Sequence, residues 1–182
     1  MRLSIMICTI PERAVKLNRL LELLKRQNVP DVEILINNDV GITIGEKRNI
    51  LASRASGEYG CFVDDDDMIS EEYINRILTA IKNKPDCVGL CGIIYFNGSY
   101  PRMFYHTIES AGWYTSGNEY WRTPNHLNPI RLDIMRRVGF ENCSFGEDQE
   151  YSKAVRCFLK TEETIEAPIY YYLYRIKTGE NM

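Results

Sequence analysis

Residues 61–70 have the sequence CFVDDDDMIS, in which four aspartates directly follow a short apolar run. The apolar residues 59–63, YGCFV, have the composition of a buried β-strand. Acidic residues disfavour strands and adjacent like charges repel, so the aspartates need a separate explanation. Open α/β sheets bind ligands beyond the carboxyl ends of their strands. The stretch therefore predicts a strand of such a sheet that ends at a binding edge.

The surrounding sequence alternates between apolar, β-prone segments and amphipathic ones. The predicted strands of the first half are residues 2–10, 32–37, 59–63 and 86–96. The predicted helices between them are residues 13–27, 44–56 and 71–83. Strand–helix alternation at these lengths predicts a parallel sheet covered by helices.

The second half has a different pattern. Residues 97–129 are aromatic and polar without a clear period, which predicts short antiparallel strands and loops. Two helices are predicted at residues 130–140 and 146–159, and two late strands at 161–166 and 168–175. The predicted fold class is therefore α/β, with a mostly parallel central sheet flanked by helices and a small antiparallel segment in the second half.

Composition is typical of one soluble globular domain. The chain has 182 residues, 45% hydrophobic and 26% charged, with a formal net charge of −3. No basic excess indicates nucleic acid, and we find no signal peptide or transmembrane segment. The six cysteines contain no CxxC pair and are expected to be free thiols, most of them buried. We expect a soluble, cytoplasmic protein in a reducing compartment.

Concentrated carboxylates become favourable when a divalent cation neutralises them. Mg²⁺ and Mn²⁺ prefer oxygen ligands and often take one or two protein carboxylates plus substrate phosphates. Two alternatives stay open at this point. The run could be a solvated acidic turn, or the D-x-D of a phosphatase with Asp64 as nucleophile and Asp66 as general acid.

Five stretches together resemble a family 2 glycosyltransferase with the GT-A fold. LSIMICTIPER resembles its first strand and donor loop, and INND the end of its second strand. GEKRNILASRASGEYGCFVDDDDMIS is similar to its G-x-x-R-N, A-x-G-E-Y and F-L-D-x-D-D segments. GFENCSFGEDQEY and YLYRIKTGEN resemble its E-D pair at a helix start and its terminal Y-R segment. The resemblance implies a single GT-A-type, Rossmann-like domain over residues 1–182, with a nucleotide-sugar-binding half (1–100) and an acceptor and catalytic-base half (101–182).

The resemblance implies the following donor site. Asp39 would hold the uracil of a UDP-type donor, in a pocket also lined by Thr9, Pro11 and Arg13. Arg48 and Asn49 would lie near the nucleotide and the acidic strand end. In the D-x-D motif, Asp66 would bind Mn²⁺ or Mg²⁺, Asp64 would lie nearer the ribose or a metal-bound water, and Asp65 would occupy the variable position.

For the acceptor side, the resemblance implies Asp148 as the catalytic base. Glu147, Trp121 and His126 are candidate acceptor contacts, and Arg175 is a candidate lid residue that reaches the diphosphate. His126 is also a candidate contact to the donor phosphate or sugar, and a hydrogen-bonded structural histidine is its alternative. The family's processive Q-x-x-R-W motif is missing, which argues against a polymer synthase.

The implied function is a metal-dependent inverting transfer of a sugar, most simply from a UDP-sugar, to an acceptor hydroxyl. The acceptor could be a glycan, a lipid-linked sugar, a protein or a modified base. The alternatives are a Mg-dependent phosphatase or nucleotidyltransferase, and a non-catalytic nucleotide-sugar-binding domain.

Overall fold

The computed structural model describes residues 2–27 and 29–175. The strands in this part of the chain are β1 (Leu3–Cys8), β2 (Val32–Asn37), β3 (Tyr59–Phe62), β4 (Met68–Ile69), β5 (Cys87–Phe96), β6 (Ser99–His106), β7 (Tyr114–Ser116), β8 (Glu119–Arg122), β9 (Ile130–Arg131) and β10 (Glu162–Tyr174). The helices are α1 (Ala14–Gln27), α2 (Ile44–Arg54), α3 (Tyr73–Ala80), α4 (Leu132–Val138) and α5 (Glu147–Arg156).

The first half forms the parallel part of the sheet. Strand β1 lies in the centre and pairs in parallel with β2 and with β3. Its apolar run is continuous because both of its faces are covered: Ile5 and Ile7 pack into one hydrophobic core, and Met6 into another. Helices α1 and α3 contribute to the first core, and α2, α4 and α5 to the second. The sheet is thus the middle of three layers.

The second half extends the same sheet mostly with antiparallel pairs, although β6 and β8 pair in parallel. The two-residue strand β9 lies between β3 and β5 and is antiparallel to both, so β5 has the same direction as β3. Strands β5 and β6 form an antiparallel hairpin, and β7 and β8 pair in the same way. This mixed α/β domain, with helices on both faces, confirms the predicted fold class.

The two late strands predicted at residues 161–166 and 168–175 are one strand in the structure. Strand β10 pairs in parallel with β5 along its length, with a register shift between Ile165 and Tyr170. Pro168 lies inside this shift, where its missing N–H leaves no ladder bond unmade. β10 also pairs with β4, which directly follows the aspartates. Among the described residues, no helix has both the length and the apolar composition needed to cross a bilayer.

Candidate active site

The four aspartates form the turn between β3 and β4, at the carboxyl edge of the parallel strands. The backbone N–H of Asp67 donates to the carbonyl of Asp64 at 3.2 Å, which closes the turn. Strands β1 and β2 end at the same edge, because parallel neighbours share their direction. The sheet therefore gathers Thr9, Asn37 and the aspartates in one region.

Asp65 and Asp67 are buried and hydrogen-bonded to the protein. Asp65 accepts hydrogen bonds from Thr9 Oγ1 at 2.7 Å and from Arg13 Nη1 at 2.9 Å. Asp67 accepts from the Tyr170 hydroxyl at 2.7 Å and from the backbone N–H of Leu173 at 2.9 Å. Burial, and then the negative charge of Asp64, raise the pKa of Asp67 well above its ordinary value. These contacts account for two of the four carboxylates without any ligand.

Asp64 and Asp66 are more exposed, with 35% and 33% of their side chains accessible. Asp66 pairs with Lys16 Nζ at 3.1 Å and Arg13 Nη1 at 3.6 Å, both on the helical segment after β1. Asp64 lies instead 3.4 Å from His126 Nε2 and 3.6 Å from Arg48 Nη2. Burial by itself raises the pKa of Asp64, but the His126 and Arg48 side chains outweigh it and hold that pKa well below its ordinary value. Asp64 is therefore a carboxylate at neutral pH.

A cavity of about 220 Å³ opens beside Asp64. It is lined by residues from both halves of the sequence, among them Arg48, Asp64, Arg122, His126, Glu147 and Asp148. Phe145 lines it too, although 89% of its surface is accessible to solvent. Asp64 and Asp148 thus line one cavity, together with the buried carboxyl groups of Asp67 and Glu147.

Arg48 connects the acidic strand end to the start of α5. Its guanidinium lies 3.6 Å from Asp64 and 3.4 Å from Glu147, and it is only 5% exposed. It packs on the rings of Phe62 and Phe140, at 5.1 Å and 5.6 Å from their centres. Glu147 is also buried. Its contact with Arg48 makes it part of the wall that holds α5 against the acidic strand end.

Asp148 lies in the first turn of α5, and its side chain is half-buried at the cavity. Its Oδ1 accepts a hydrogen bond from the backbone N–H of Gln149 at 2.9 Å. A carboxylate at this helix position is stabilised by the helix dipole alone. Because Asp148 also lines the cavity with Asp64, its position is suited to receive a proton from a ligand bound there.

The inner end of the cavity comes from β6 and β8. His106 is buried, and its Nδ1 lies 3.3 Å from Oδ1 of Asn128. Burial, followed by the charge of Arg122, lowers the pKa of His106 to about 3, so its ring is neutral. No motif in the sequence indicated His106 or Arg122. The signal was the alternation of β-strands, which places Phe104 with His106 and Tyr120 with Arg122 on the cavity face.

The same alternation takes Trp121 away from the cavity. Its ring stacks on Tyr105 with 4.4 Å between centres, and on Tyr114 at 6.4 Å. Residues on either side of it, Tyr120 and Arg122, line the cavity from the other face of the strand. The structure therefore does not bring Trp121 to the candidate acceptor side, whereas His126 lies at the cavity beside Asp64.

The predicted donor residues divide between surface and interior. Asp39 and Pro11 are exposed, and the Asp39 carboxylate accepts a hydrogen bond from Asn37 Nδ2 at 3.1 Å. Thr9 is buried and bonded to Asp65. The side-chain amide of Asn49 donates to the carbonyl of Phe140 at 2.7 Å and accepts from its backbone N–H at 2.8 Å. These contacts hold the loop that follows α4. Arg175 is exposed after β10, and no described residue forms an ion pair with it.

The described residues contain no group of three or more histidine, cysteine, aspartate or glutamate side chains arranged to hold a metal ion. Asp64 and Asp66 are the accessible carboxylates of the turn. One or two carboxylates are what Mg²⁺ commonly takes from a protein when substrate phosphates complete its coordination. Their chemistry fits such an ion, provided that Lys16 turns away from Asp66.

Comparison with known proteins identifies the family. A sequence model described as "Glycosyl transferase family 2" matches residues 43–143. This range includes α2, the aspartates and the antiparallel segment. A comparison with curated proteins gave no match.

Solved structures with a similar fold include three of S. aureus TarS 1–349. The structure without a ligand in its description has a TM-score of 0.69 and 17% identity, over 95% of this chain and 60% of that one. The complex with UDP-GlcNAc has a TM-score of 0.70 and 15% identity, over 97% of this chain and 60% of that one. The complex with UDP has a TM-score of 0.71 and 16% identity, over 96% and 61%. At these identities the likeness shows the fold.

Proposed function

Because this chain belongs to glycosyl transferase family 2, we propose that it transfers a sugar from a nucleotide-sugar to the hydroxyl of an acceptor, with inversion at the anomeric carbon. The observation that supports this most directly is the cavity shared by Asp64 and Asp148. One carboxylate stands at the edge where α/β sheets bind nucleotides, and the other faces the same volume from a helix start. A UDP-sugar is the favoured donor, since similar folds were solved with UDP and UDP-GlcNAc.

In this proposal the two halves of the chain have different tasks. Residues 1–100 bind the donor: Asp39, Pro11 and Arg13 offer exposed groups for the base and ribose, while Asp64 and Asp66 mark the diphosphate. Residues 101–182 supply the acceptor side. Thr9 and Asp65 act indirectly, because the bonds from Thr9 and Arg13 to Asp65 fix the donor loop against the turn.

Asp148 is the proposed base. It removes the proton of the acceptor hydroxyl as the oxygen attacks the anomeric carbon from the face opposite the leaving diphosphate, so the configuration inverts. The bond between the sugar and the nucleoside diphosphate breaks in the same step. Glu147 and Arg48 hold the start of α5 in place through their 3.4 Å ion pair.

A divalent cation, Mn²⁺ or Mg²⁺, would be held by Asp66 and Asp64, and when bound it neutralises charge on the leaving diphosphate. Arg13 and Lys16 already lie within 3.6 Å and 3.1 Å of the Asp66 carboxylate. They add positive charge on the same side, where a diphosphate would bind.

A phosphatase has less support. In a phosphatase, Asp64 would attack phosphorus and Asp66 would protonate the leaving oxygen. The family model that matches residues 43–143 is instead that of a glycosyl transferase, and the cavity beside Asp64 also contains Asp148, for which a phosphatase of this kind has no role. We therefore favour sugar transfer.

The proposal is tested by calorimetric titration of UDP, and then of GDP, with and without Mn²⁺. We expect UDP to bind more tightly when Mn²⁺ is present, and Asp66→Ala to remove this dependence. Asp133→Asn is the control, because Asp133, on α4, pairs with Arg131 of β9 and neither residue lines the cavity. Preference for GDP would change the donor and retain the transferase, while failure of both nucleotides to bind with metal present would refute the proposed function.

A further inference from the structure

Arg122 lines the cavity, and its guanidinium packs on aromatic rings. Its guanidinium lies 4.4 Å from the ring centre of Trp113 and 5.9 Å from that of Tyr120. Within residues 2–27 and 29–175, no side chain or carbonyl forms an ion pair or hydrogen bond with it. The other arginine of the cavity, Arg48, contacts both Asp64 and Glu147. Arg48 also has two nitrogens without a hydrogen-bond partner, Nε and Nη1, but both are fully buried. Among the described residues, Arg122 therefore combines a place in the cavity with a guanidinium free to bind a ligand.

Contacts with the protein hold the Arg122 side chain in a defined position. Stacking on Trp113 fixes the plane of the guanidinium, and Trp113 is itself held by a hydrogen bond from its Nε1 to Ser152 Oγ at 3.3 Å. Ser152 lies on α5, the helix that carries Asp148. Burial lowers the pKa of Arg122, and the charge of Asp148 acts in the opposite direction. The arginine and the proposed base are thus positioned through one helix.

Arg122 reaches the cavity from the second half of the chain, unlike the expected donor residues Arg48 and Asp64, which reach it from the first half. Strands β6 and β8 form this part of the cavity wall, with neutral His106 next to it. The residues expected to bind the base and ribose, Thr9, Pro11, Arg13 and Asp39, are not among those that line the cavity. We therefore assign a ligand group at Arg122 to the acceptor, whose hydroxyl must reach Asp148 in the same cavity.

We propose that Arg122 binds an oxyanion of the acceptor, a phosphate or a carboxylate attached close to the hydroxyl that receives the sugar. This inference rests on the proposed glycosyltransferase function and specifies its acceptor class. A guanidinium offers two parallel N–H donors that match the oxygens of either group, and low solvent access strengthens the contact. The cavity of about 220 Å³ has the volume of roughly seven water molecules. An anion and a hydroxyl that both bind in it must therefore lie close together in the acceptor.

The test is a binding titration with three small probes that share a polyol backbone: glycerol 3-phosphate, glycerate and glycerol. Each is titrated by NMR at constant ionic strength, with and without saturating UDP and Mn²⁺. We expect one of the two anions to bind the wild-type protein about tenfold or more tightly than glycerol. The stronger of the two anions identifies the acceptor group as a phosphate or a carboxylate.

Arg122→Gln should abolish the preference for the anion while leaving UDP binding unchanged. Arg122→Lys keeps the charge without the planar fork and should retain part of the preference. Arg76→Gln is the matched control: it removes one arginine from α3, where Arg76 pairs with Glu72 and does not line the cavity. Retained UDP binding and an unchanged unfolding midpoint show that the variants are folded.

Two results would overturn the inference: equal binding of the anions to wild type and Arg122→Gln, or a loss of UDP affinity in Arg122→Gln with anion binding intact. The second would assign Arg122 to the donor. A protein that binds the anion through Arg122 and binds no nucleotide would keep the anion site and refute the transferase. The two failures are therefore distinguishable.

Discussion

At the scale of single residues, the four aspartates have alternating surroundings, which explains how they can be adjacent. Asp65 and Asp67 are buried and accept hydrogen bonds from the protein, while Asp64 and Asp66 keep about a third of their side chains accessible. Protein donors and cations compensate every one of the four carboxylates, and Arg13 is shared between Asp65 and Asp66. The D-x-D spacing was visible in the sequence, and the resemblance implied Arg48 near it; Tyr170 could not be predicted as a partner, because only the fold brings it to the turn.

Asp148→Asn should lower sugar transfer by about 10² to 10⁴-fold, because an amide cannot take the acceptor proton. Nucleotide binding should change little, since Asp148 bonds only its own helix N-terminus among the described residues. Transfer is measured as UDP release in the presence of acceptor, and binding by calorimetry. Asp133→Asn, remote from the cavity, should leave both values unchanged; equal transfer by the two variants would remove Asp148 from the mechanism.

Asp67→Asn should change how stability depends on pH. The folded-state pKa of Asp67 is raised, so its stabilising contribution is complete below the ordinary pKa of about 3.9 and is lost as pH rises towards the raised value. Asparagine resembles the protonated form and does not titrate. Urea unfolding at several pH values above 4 should therefore show wild type losing stability relative to Asp67→Asn as pH increases. A constant difference between the two proteins would contradict the raised pKa.

At the scale of elements, helix α2 and the loop 141–146 act as one support for α5. The Asn49 amide bonds the backbone of Phe140, and the N–H of Gly45 donates to the carbonyl of Cys143 at 3.1 Å. A Cβ at Gly45 would lie 1.7 Å from the carbonyl oxygen of Glu141. The helix start that carries Glu147 and Asp148 is therefore positioned by close contact between backbones.

Gly45→Ala should destabilise the protein by about 1–3 kcal/mol, because the loop must move to admit the methyl group. The shift should also lower transfer, since the loop leads directly into α5. Gly112→Ala is the control, because a Cβ there meets nothing within 4 Å. Denaturant unfolding and transfer rates of both variants test this, and an equally small effect at the two glycines would show that the contact is not tight.

The elements themselves were largely predictable from the sequence. Hydrophobic periodicity gave the strands and helices of the first half, because a central strand buried on both faces and an amphipathic helix have distinct patterns. Tertiary pairing was harder to predict. Which face of the sheet Trp121 occupies depends on the register of β8. A shift of one residue would put Trp121 on the cavity face in place of Arg122. The continuity of β10 depends on its pairing with β5, which no local signal contains.

At the scale of the whole molecule, the sheet separates two cores that bury several of the cysteines. Cys61, Cys87 and Cys91 are buried, Cys8 and Cys143 are half-buried, and Cys157 is exposed. Burial raises the pKa of Cys61 to about 12. The thiolate is the reactive form of cysteine. Burial therefore lowers the reactivity of Cys61 in two ways: it blocks access to the sulfur, and it raises the pKa of the thiol.

Cys157 should therefore react first with a thiol reagent, and Cys61 should react only when the domain unfolds. Mass spectrometry of the labelled native protein, at increasing urea concentrations, identifies the modified positions. Cys157→Ser should remove the fast phase of labelling and leave the slow labelling of Cys61 unchanged. Rapid labelling of Cys61 in native conditions would show that the first core opens locally.

The bond between Asp67 and Tyr170 joins residues that are far apart in the sequence. During synthesis on the ribosome, the aspartate turn is made long before β10 emerges from the exit tunnel. Until then Asp67 lacks its two hydrogen-bond donors from β10, and β4 lacks its partner strand. The nascent chain can therefore pair β1 with β2 and β3 early, but the acidic edge matures only after translation has passed residue 173.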